Sequence, residues 1–283
     1  MIYCILNGGL GNQLFQFGAA LRLARGETDR IRMVISKVLQ NFGYRLPEFL
    51  GNKALPSVAT AEEVRTLTES LEGEGVVGVV QDNERGVFVD QPALDLDYEK
   101  SCSIAVIDGY LQSHKNAMAV RSFAFRNQSE IDLYRGLDVA SPGELIAHYR
   151  LGDYRRADVQ REIGVMNPSY LDRAIDEADR VASVEHVTLF TDDKALVDLY
   201  GGLRAIDCVV GGSDIEVFRK MMSARRMIIA NSTYSLMAAY LSPHIERIYR
   251  PAYWTRKVLD DDLTTTEGPF EVVKLENSFL TLT

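Results

Sequence analysis

His148 and Arg150 stand two residues apart in His148-Tyr149-Arg150-Leu151-Gly152-Asp153-Tyr154, at the end of the apolar run Leu145 to Tyr149. Side chains alternate along a strand, so both point to the same side at its end. A guanidinium offers planar, paired donors that match phosphate oxygens. Plainer readings stay open: an ion pair from Arg150 to Asp153, and a hydrogen-bonded core histidine at His148.

Three further clusters carry similar chemistry. Gly8-Gly9-Leu10-Gly11-Asn12-Gln13 follows the short run Ile2 to Leu6. Glycines let a backbone turn tightly and approach a ligand, and free N–H groups at a helix start favour anions. The spacing is not the G-x-G-x-x-G of a dinucleotide site. Gly9 and Gly11 serve either close ligand approach or only a tight turn. Asn12 and Gln13 add amides that can orient a diphosphate or sugar hydroxyls. In Phe190-Thr191-Asp192-Asp193, the acids bind a base or ribose, or cap the next helix; capping suits Asp193 better. In Asn231-Ser232-Thr233-Tyr234-Ser235, the side chains of Asn231, Ser232, Thr233 and Ser235 and the free N–H groups of a helix start suit a phosphate. Plain capping accounts for one or two of them. Asp260-Asp261-Asp262 reads as a solvated acidic run, and no His/Cys/Asp spacing supports a catalytic metal.

The elements that must hold these clusters alternate. Strand, glycine turn and helix are expected over residues 2–24, with a second strand at Ile31 to Ile35. Ala61 to Leu71 reads as a helix, Ile104 to Tyr110 as a buried strand and Ser113 to Ala124 as a helix. Ser141-Pro142-Gly143 marks a boundary between residues 1–140 and 141–283. Beyond it, strands are expected at Leu145 to Tyr149, Val187 to Phe190, Ala205 to Val210, Met227 to Ala230 and Ile245 to Tyr249. Helices are expected at Ser169 to Val181, Lys194 to Tyr200, Ser213 or Asp214 to Ala224, and Ser235 to Leu241. Alternation of this kind implies α/β units with parallel sheets, whose ligands sit beyond the carboxyl ends of the strands. All four clusters fall at such ends.

The 283 residues suffice for two modest domains, and 46% hydrophobic content is ordinary for a folded chain. A net charge of −9 argues against nucleic acid as a partner. Three scattered cysteines, Cys4, Cys102 and Cys208, make a poor disulfide framework and suit a reducing compartment. Neither a signal peptide nor a membrane span is expected, so the reading is cytoplasmic, either free or resting on the inner face of a membrane.

Together the clusters resemble glycosyltransferase family 11, the α-1,2-fucosyltransferases. Gly8 to Gln16 is similar to its G-G-L-G-N-Q-x-F-Q segment, and Asp108-Gly109-Tyr110-Leu111-Gln112-Ser113 to its D-G-Y-x-Q-S segment. His148, Arg150, Gly152, Asp153 and Tyr154 match H-x-R-R-G-D-Y. Phe190 to Asp193 resembles F-S-D-D, and Asn231 to Ala239 resembles N-S-T-F-S-W-W-A-A. The chain departs from the pattern at Leu151, where the family has a second arginine, and at Leu236 and Met237, where it has tryptophans. Leu151 is read either as a packing position or as the mark of a weaker clamp or a different donor.

The resemblance implies a GT-B-type fold: two Rossmann-like domains with parallel sheets facing across a cleft. Residues 1–140 would be mainly acceptor-side and residues 141–283 would bind a GDP-sugar. It implies inverting transfer of fucose from GDP-fucose to an oligosaccharide or lipid-linked glycan, in α-1,2 linkage, for bacterial surface polysaccharide. No cofactor and no divalent metal are expected. Arg150, Asn12 and Asp153 become the catalytic candidates. Gly9, Gly11, Asn12, Gln13, His148, Arg150, Asp192, Asp193, Asn231, Ser232, Thr233 and Ser235 become the donor-binding candidates. Another GDP-deoxysugar such as GDP-rhamnose, or a non-catalytic nucleotide- or glycan-binding relative, is the alternative.

Overall fold

The computed structural model describes residues 1–35, 39, 43–72, 77–81, 104–192, 206–256, 258–259 and 269–280. Its contacts divide the chain into two compact units, Met1–Arg135 and Gly136–Thr283.

The first unit holds β1 (Ile2–Leu6), α1 (Leu10–Leu23), β2 (Ile31–Ile35), α2 (Leu46–Leu50), α3 (Ala61–Glu72), β3 (Val77–Gln81), β4 (Ile104–Asp108) and α4 (His114–Arg126). Its sheet runs β2-β1-β4-β3, with every neighbouring pair parallel. Parallel neighbours need crossovers, and α1 supplies the one from β1 to β2. Most of α1 is buried. It lies close enough to α4 that a Cβ at Gly18 would run into the Asn116 carbonyl oxygen. Phe17 and Phe123 meet edge to face at 5.0 Å, and Arg22 Nη1 donates to Asn116 Oδ1 at 3.0 Å. The strand expected to reach Tyr110 stops at Asp108. Gly109 and Leu111 take φ of 149° and 48°, which turns the chain out of the sheet. Ser113 then caps α4 by accepting from the Asn116 N–H at 3.3 Å.

The second unit holds β5 (Glu144–Tyr149), α5 (Ala157–Glu162), α6 (Ser169–Val181), β6 (His186–Thr191), β7 (Ile206–Val210), α7 (Asp214–Met222), β8 (Arg226–Ile228), α8 (Thr233–Leu241), β9 (Arg247–Pro251), β10 (Tyr253–Thr255), β11 (Val258–Leu259) and β12 (Glu271–Leu275). Six of its strands form a parallel sheet in the order β12-β9-β8-β5-β6-β7; β10 and β11 pair separately as an antiparallel hairpin. On one face of β5, Leu145, Ala147 and Tyr149 pack with Tyr170, Leu171, Ala174 and Ala178 of α6. The buried Arg226 closes the end of α6: it donates to the carbonyls of Ala178, Ala182 and Ser183, and to that of Pro142. A cation there also opposes the negative end of the helix dipole. Ser213 and Glu216 form a capping box on α7. The strand expected to reach Ala230 ends at Ile228, and the Ile229 carbonyl accepts the Tyr170 hydroxyl at 3.0 Å. The helix expected from Lys194 to Tyr200 lies outside the described residues.

Gly18→Ala is expected to cost about 1–3 kcal/mol, the usual range for overpacking between closely set elements. Urea unfolding checks it; an unchanged midpoint would show that α1 and α4 are free to separate.

Candidate functional site

In the second unit, β8, β5 and β6 are neighbours, and their carboxyl ends bring three of the expected clusters together. Tyr149 of β5 is in register with Thr191 of β6, so Arg150 and Asp192 leave the sheet side by side. Arg150 Nη1 stands 3.6 Å from Asp192 Oδ2. The other oxygen, Asp192 Oδ1, accepts the Leu151 N–H at 2.6 Å. Gly152 follows with φ +30; a Cβ there would lie 2.6 Å from Asp192 Oδ2 and 3.0 Å from Arg150 Cζ. A side chain at position 152 would displace this pair. Leu151 turns the other way and packs on the core that contains Tyr149 and Tyr170. The packing reading of Leu151 therefore fits the fold. Asp153 lies in a short 3-10 turn, Gly152–Arg155; its side chain is outside the described residues, as is all of Asp193.

His148 is buried. Its ring lies 6.1 Å from that of Tyr234, which in turn meets Phe218 of α7 edge to face at 5.2 Å. Its Nδ1 has no hydrogen-bond partner among the described residues. Burial first, and then the positive Arg150, push the imidazole down to about 3, with Asp192 opposing. His148 is thus a neutral ring that can donate or accept a hydrogen bond, not a cation.

Helix α8 starts beside this group. Its N-cap, Ser232, makes no side-chain cap, so the hydroxyl and the first-turn N–H groups of Thr233, Tyr234 and Ser235 form the anion-attracting end of a helix. Ser235 is fully buried, and its hydroxyl donates to the Ser232 carbonyl at 3.1 Å. Asn231 braces the turn. Its Nδ2 donates to the carbonyls of Gly164 and Trp254, both at 3.2 Å, and its own carbonyl accepts the Tyr154 hydroxyl at 2.7 Å. Its Oδ1 is buried with no partner among the described residues.

The glycine cluster belongs to the first unit, between β1 and α1. Gly8 has φ +72, and a Cβ there would lie 2.6 Å from Asn12 Nδ2. Gly9 caps α1 in an extended conformation with nothing within 4 Å of a Cβ position, and Gly11 is buried in the first turn of α1. Gln13 is fully buried and occupied internally: Nε2 donates to the Gly8 and Gly43 carbonyls, and Oε1 accepts the Arg45 N–H. Asn12 is half-buried, and its Oδ1 accepts from Gln112 Nε2 at 2.8 Å. Two residues that the sequence reading left out of the site, Gln16 and Gln112, shape this end of the sheet. Gln16 accepts the Asn7 N–H and donates to the Gly109 carbonyl, tying the ends of β1 and β4 together. The available signal was an amide set on the otherwise apolar face of α1, at Gln13 and Gln16.

Among the described residues, no group of three His, Cys, Asp or Glu side chains is placed to hold a metal ion, and no helix is long and apolar enough to cross a membrane.

No protein-family profile matches the chain. In sequence it is similar to the O-antigen biosynthesis glycosyltransferase WbnK of Escherichia coli, with 23% identity covering 89% of this chain and 94% of WbnK. In fold it is similar to a mutant of Arabidopsis thaliana FUT1 in complex with GDP, with a TM-score of 0.50 at 10% identity over 90% of this chain and 71% of that one. NodZ, an alpha-1,6-fucosyltransferase soaked with GDP-fucose, aligns over 86% of this chain and 92% of its own, with a TM-score of 0.44 at 16% identity. The chain resembles glycosyltransferases. Its two α/β units with parallel sheets are of the GT-B type.

The buried ring makes a pH prediction. Below about 6.5 the unfolded chain takes up a proton at His148 that the folded chain refuses until about 3. The unfolded state then binds more protons, so this position's contribution is complete above 6.5 and is lost as pH falls toward 3. His148→Gln is expected to remove about 2 kcal/mol of the stability lost between pH 7 and pH 5. Urea unfolding at the two pH values measures it; equal losses in wild type and variant would show that the folded ring accepts the proton.

Proposed function

We propose that this chain is an inverting, metal-independent glycosyltransferase that moves fucose from GDP-fucose to a hydroxyl of a glycan. The observation that carries the reading is Arg150, held at the carboxyl end of β5 beside Asp192 and next to the neutral His148. Support comes from the sequence similarity to an O-antigen glycosyltransferase and from the fold likeness to FUT1, which was determined with GDP.

In this mechanism the acceptor hydroxyl oxygen attacks the anomeric carbon as the bond to the β-phosphate oxygen breaks. The hydroxyl proton passes to a base, and GDP departs. Negative charge grows on the β-phosphate, and Arg150 with the start of α8 stabilises it. At ~4 Å and an effective dielectric of ~20, one guanidinium contributes of order 4 kcal/mol, of which only the part gained in the transition state speeds the reaction. Ser232 and Thr233 present donors to the same oxygens. Ser235 and Asn231 act beneath them, one holding the first turn of the helix and the other bracing its approach. His148 takes a nucleotide hydrogen bond. Asp192 sets the angle of Arg150. Asp153 and Asp193 are assigned to the acceptor side and the base or ribose, respectively. In the first unit, Gly9, Gly11 and Asn12 serve the sugar or acceptor, and Gln13 holds their turn.

An α-1,2 linkage, a bacterial surface polysaccharide as product, and a cytoplasmic location at the inner face of a membrane complete the proposal. The acceptor is an oligosaccharide or a lipid-linked glycan.

Arg150→Lys keeps the charge but loses the paired donors. It is expected to lower turnover at least about 100-fold, the scale of losing one donor to a developing oxyanion, with an unchanged melting temperature. Hydrolysis of GDP- and UDP-sugars, with and without EDTA, measures donor choice and metal dependence together. Near-normal turnover in the variant would refute the clamp. Turnover with GDP-rhamnose but not GDP-fucose would replace the donor, and GDP binding without turnover on any donor would favour a non-catalytic relative.

A further inference from the structure

The carboxyl end of the first unit's sheet carries a group of side chains of its own. Tyr110 follows β4 and is 41% exposed, one of the few large hydrophobic side chains so open to solvent among the described residues. Its position is fixed from below. A Cβ on Gly8 would lie 3.2 Å from the Tyr110 ring and 2.6 Å from Asn12 Nδ2. The bare Gly8 backbone is therefore the floor on which both side chains rest. Around them the surface is open, since nothing lies within 4 Å of a Cβ position at Gly9. Packing does not require Gly9 to be glycine, whereas close approach of a ligand does.

The polar groups here are planar amides. Gln112 is buried and donates to Asn12 Oδ1 at 2.8 Å, which leaves the Asn12 Nδ2 hydrogens above Gly8. The carboxylate of Asp108, half-buried at the end of this strand, disfavours an anion. An exposed aromatic face, an amide donor at its edge and a nearby carboxylate match an uncharged sugar. The ring covers the apolar C–H face of a pyranose, and the polar groups meet its hydroxyls.

We propose that Tyr110 and Asn12 form a carbohydrate subsite on the first unit, with the Tyr110 ring stacked on a neutral pyranose of the acceptor and the Asn12 amide hydrogen-bonded to a hydroxyl of that sugar. The inference rests on the glycosyl-transfer reading, and it names the side chains that hold the acceptor sugar.

Saturation-transfer NMR on the full chain tests it, with methyl β-galactopyranoside, methyl β-glucopyranoside and methyl α-mannopyranoside as probes. At least one is expected to take up saturation on the C–H protons of one ring face. Tyr110→Phe keeps that signal, and Tyr110→Ala weakens binding about fivefold, the scale of one aromatic contact. Calorimetric GDP binding, expected to survive in Tyr110→Ala, reports both the fold and the nucleotide site. Wild-type pyranoside signals in a Tyr110→Ala chain that binds GDP would overturn the subsite. Silence from all three probes in a GDP-binding wild-type chain would do the same. Failure of the wild-type chain to bind GDP would instead overturn the nucleotide-sugar reading, and a pyranoside signal that still depended on Tyr110 would leave the subsite standing.

Discussion

The hydrogen bond from the Leu151 N–H to the Asp192 carboxylate is the constraint on which the second unit's chemistry depends. It joins the ends of two adjacent parallel strands just where the sheet's own ladder stops. One carboxylate does two jobs: one oxygen pins the backbone and the other faces the guanidinium. The chain then has little freedom. Arg150 goes outward, Leu151 goes into the core, and Gly152 passes where a Cβ would push the Arg150 and Asp192 side chains aside. Leu151 serves this turn as its inner anchor. That makes it a packing residue, and Arg150 need not share the outer face with a second cation.

The first unit solves the same problem with amides. Gln13, Gln16 and Gln112 take up backbone groups or a neighbouring side chain at the ends of β1 and β4. Gln13 and Gln16 are fully buried, where an unmade hydrogen bond costs more than at the surface. The result is a fixed floor from which Tyr110 and Asn12 project. The two units thus offer different chemistry at equivalent sheet ends: a guanidinium and a helix dipole in one, an aromatic ring and neutral donors in the other.

Much of the alternation is legible because the central strands are mostly apolar. Leu145 to Tyr149 and Val187 to Phe190 carry one polar residue each, His148 and Thr188, and their observed strands contain them. Edge elements are less legible. Glu271–Leu275 mixes charged and apolar residues because it is only partly covered, and the hairpin of β10 and β11 is too short for a period to show. Site chemistry was visible as residue types but not as partners. Asp192 as the neighbour of Arg150 requires the β5–β6 register, which spans residues far apart in sequence. Gln13 looked like a ligand because an exposed amide and a buried one are spelled the same way.

Arg226 has a consequence for where the second unit begins as a physical object. Its guanidinium spans the end of α6 and the Pro142 carbonyl, while the Ala140 N–H donates to the Ser223 carbonyl. The stretch that reads as a boundary in the sequence is therefore stitched to the body that follows it. An excised C-terminal fragment starting at Gly143 would leave a buried cation short of one acceptor. One starting near Gly136 would keep both stitches, so the natural cutting point lies upstream of the Ser-Pro-Gly signal.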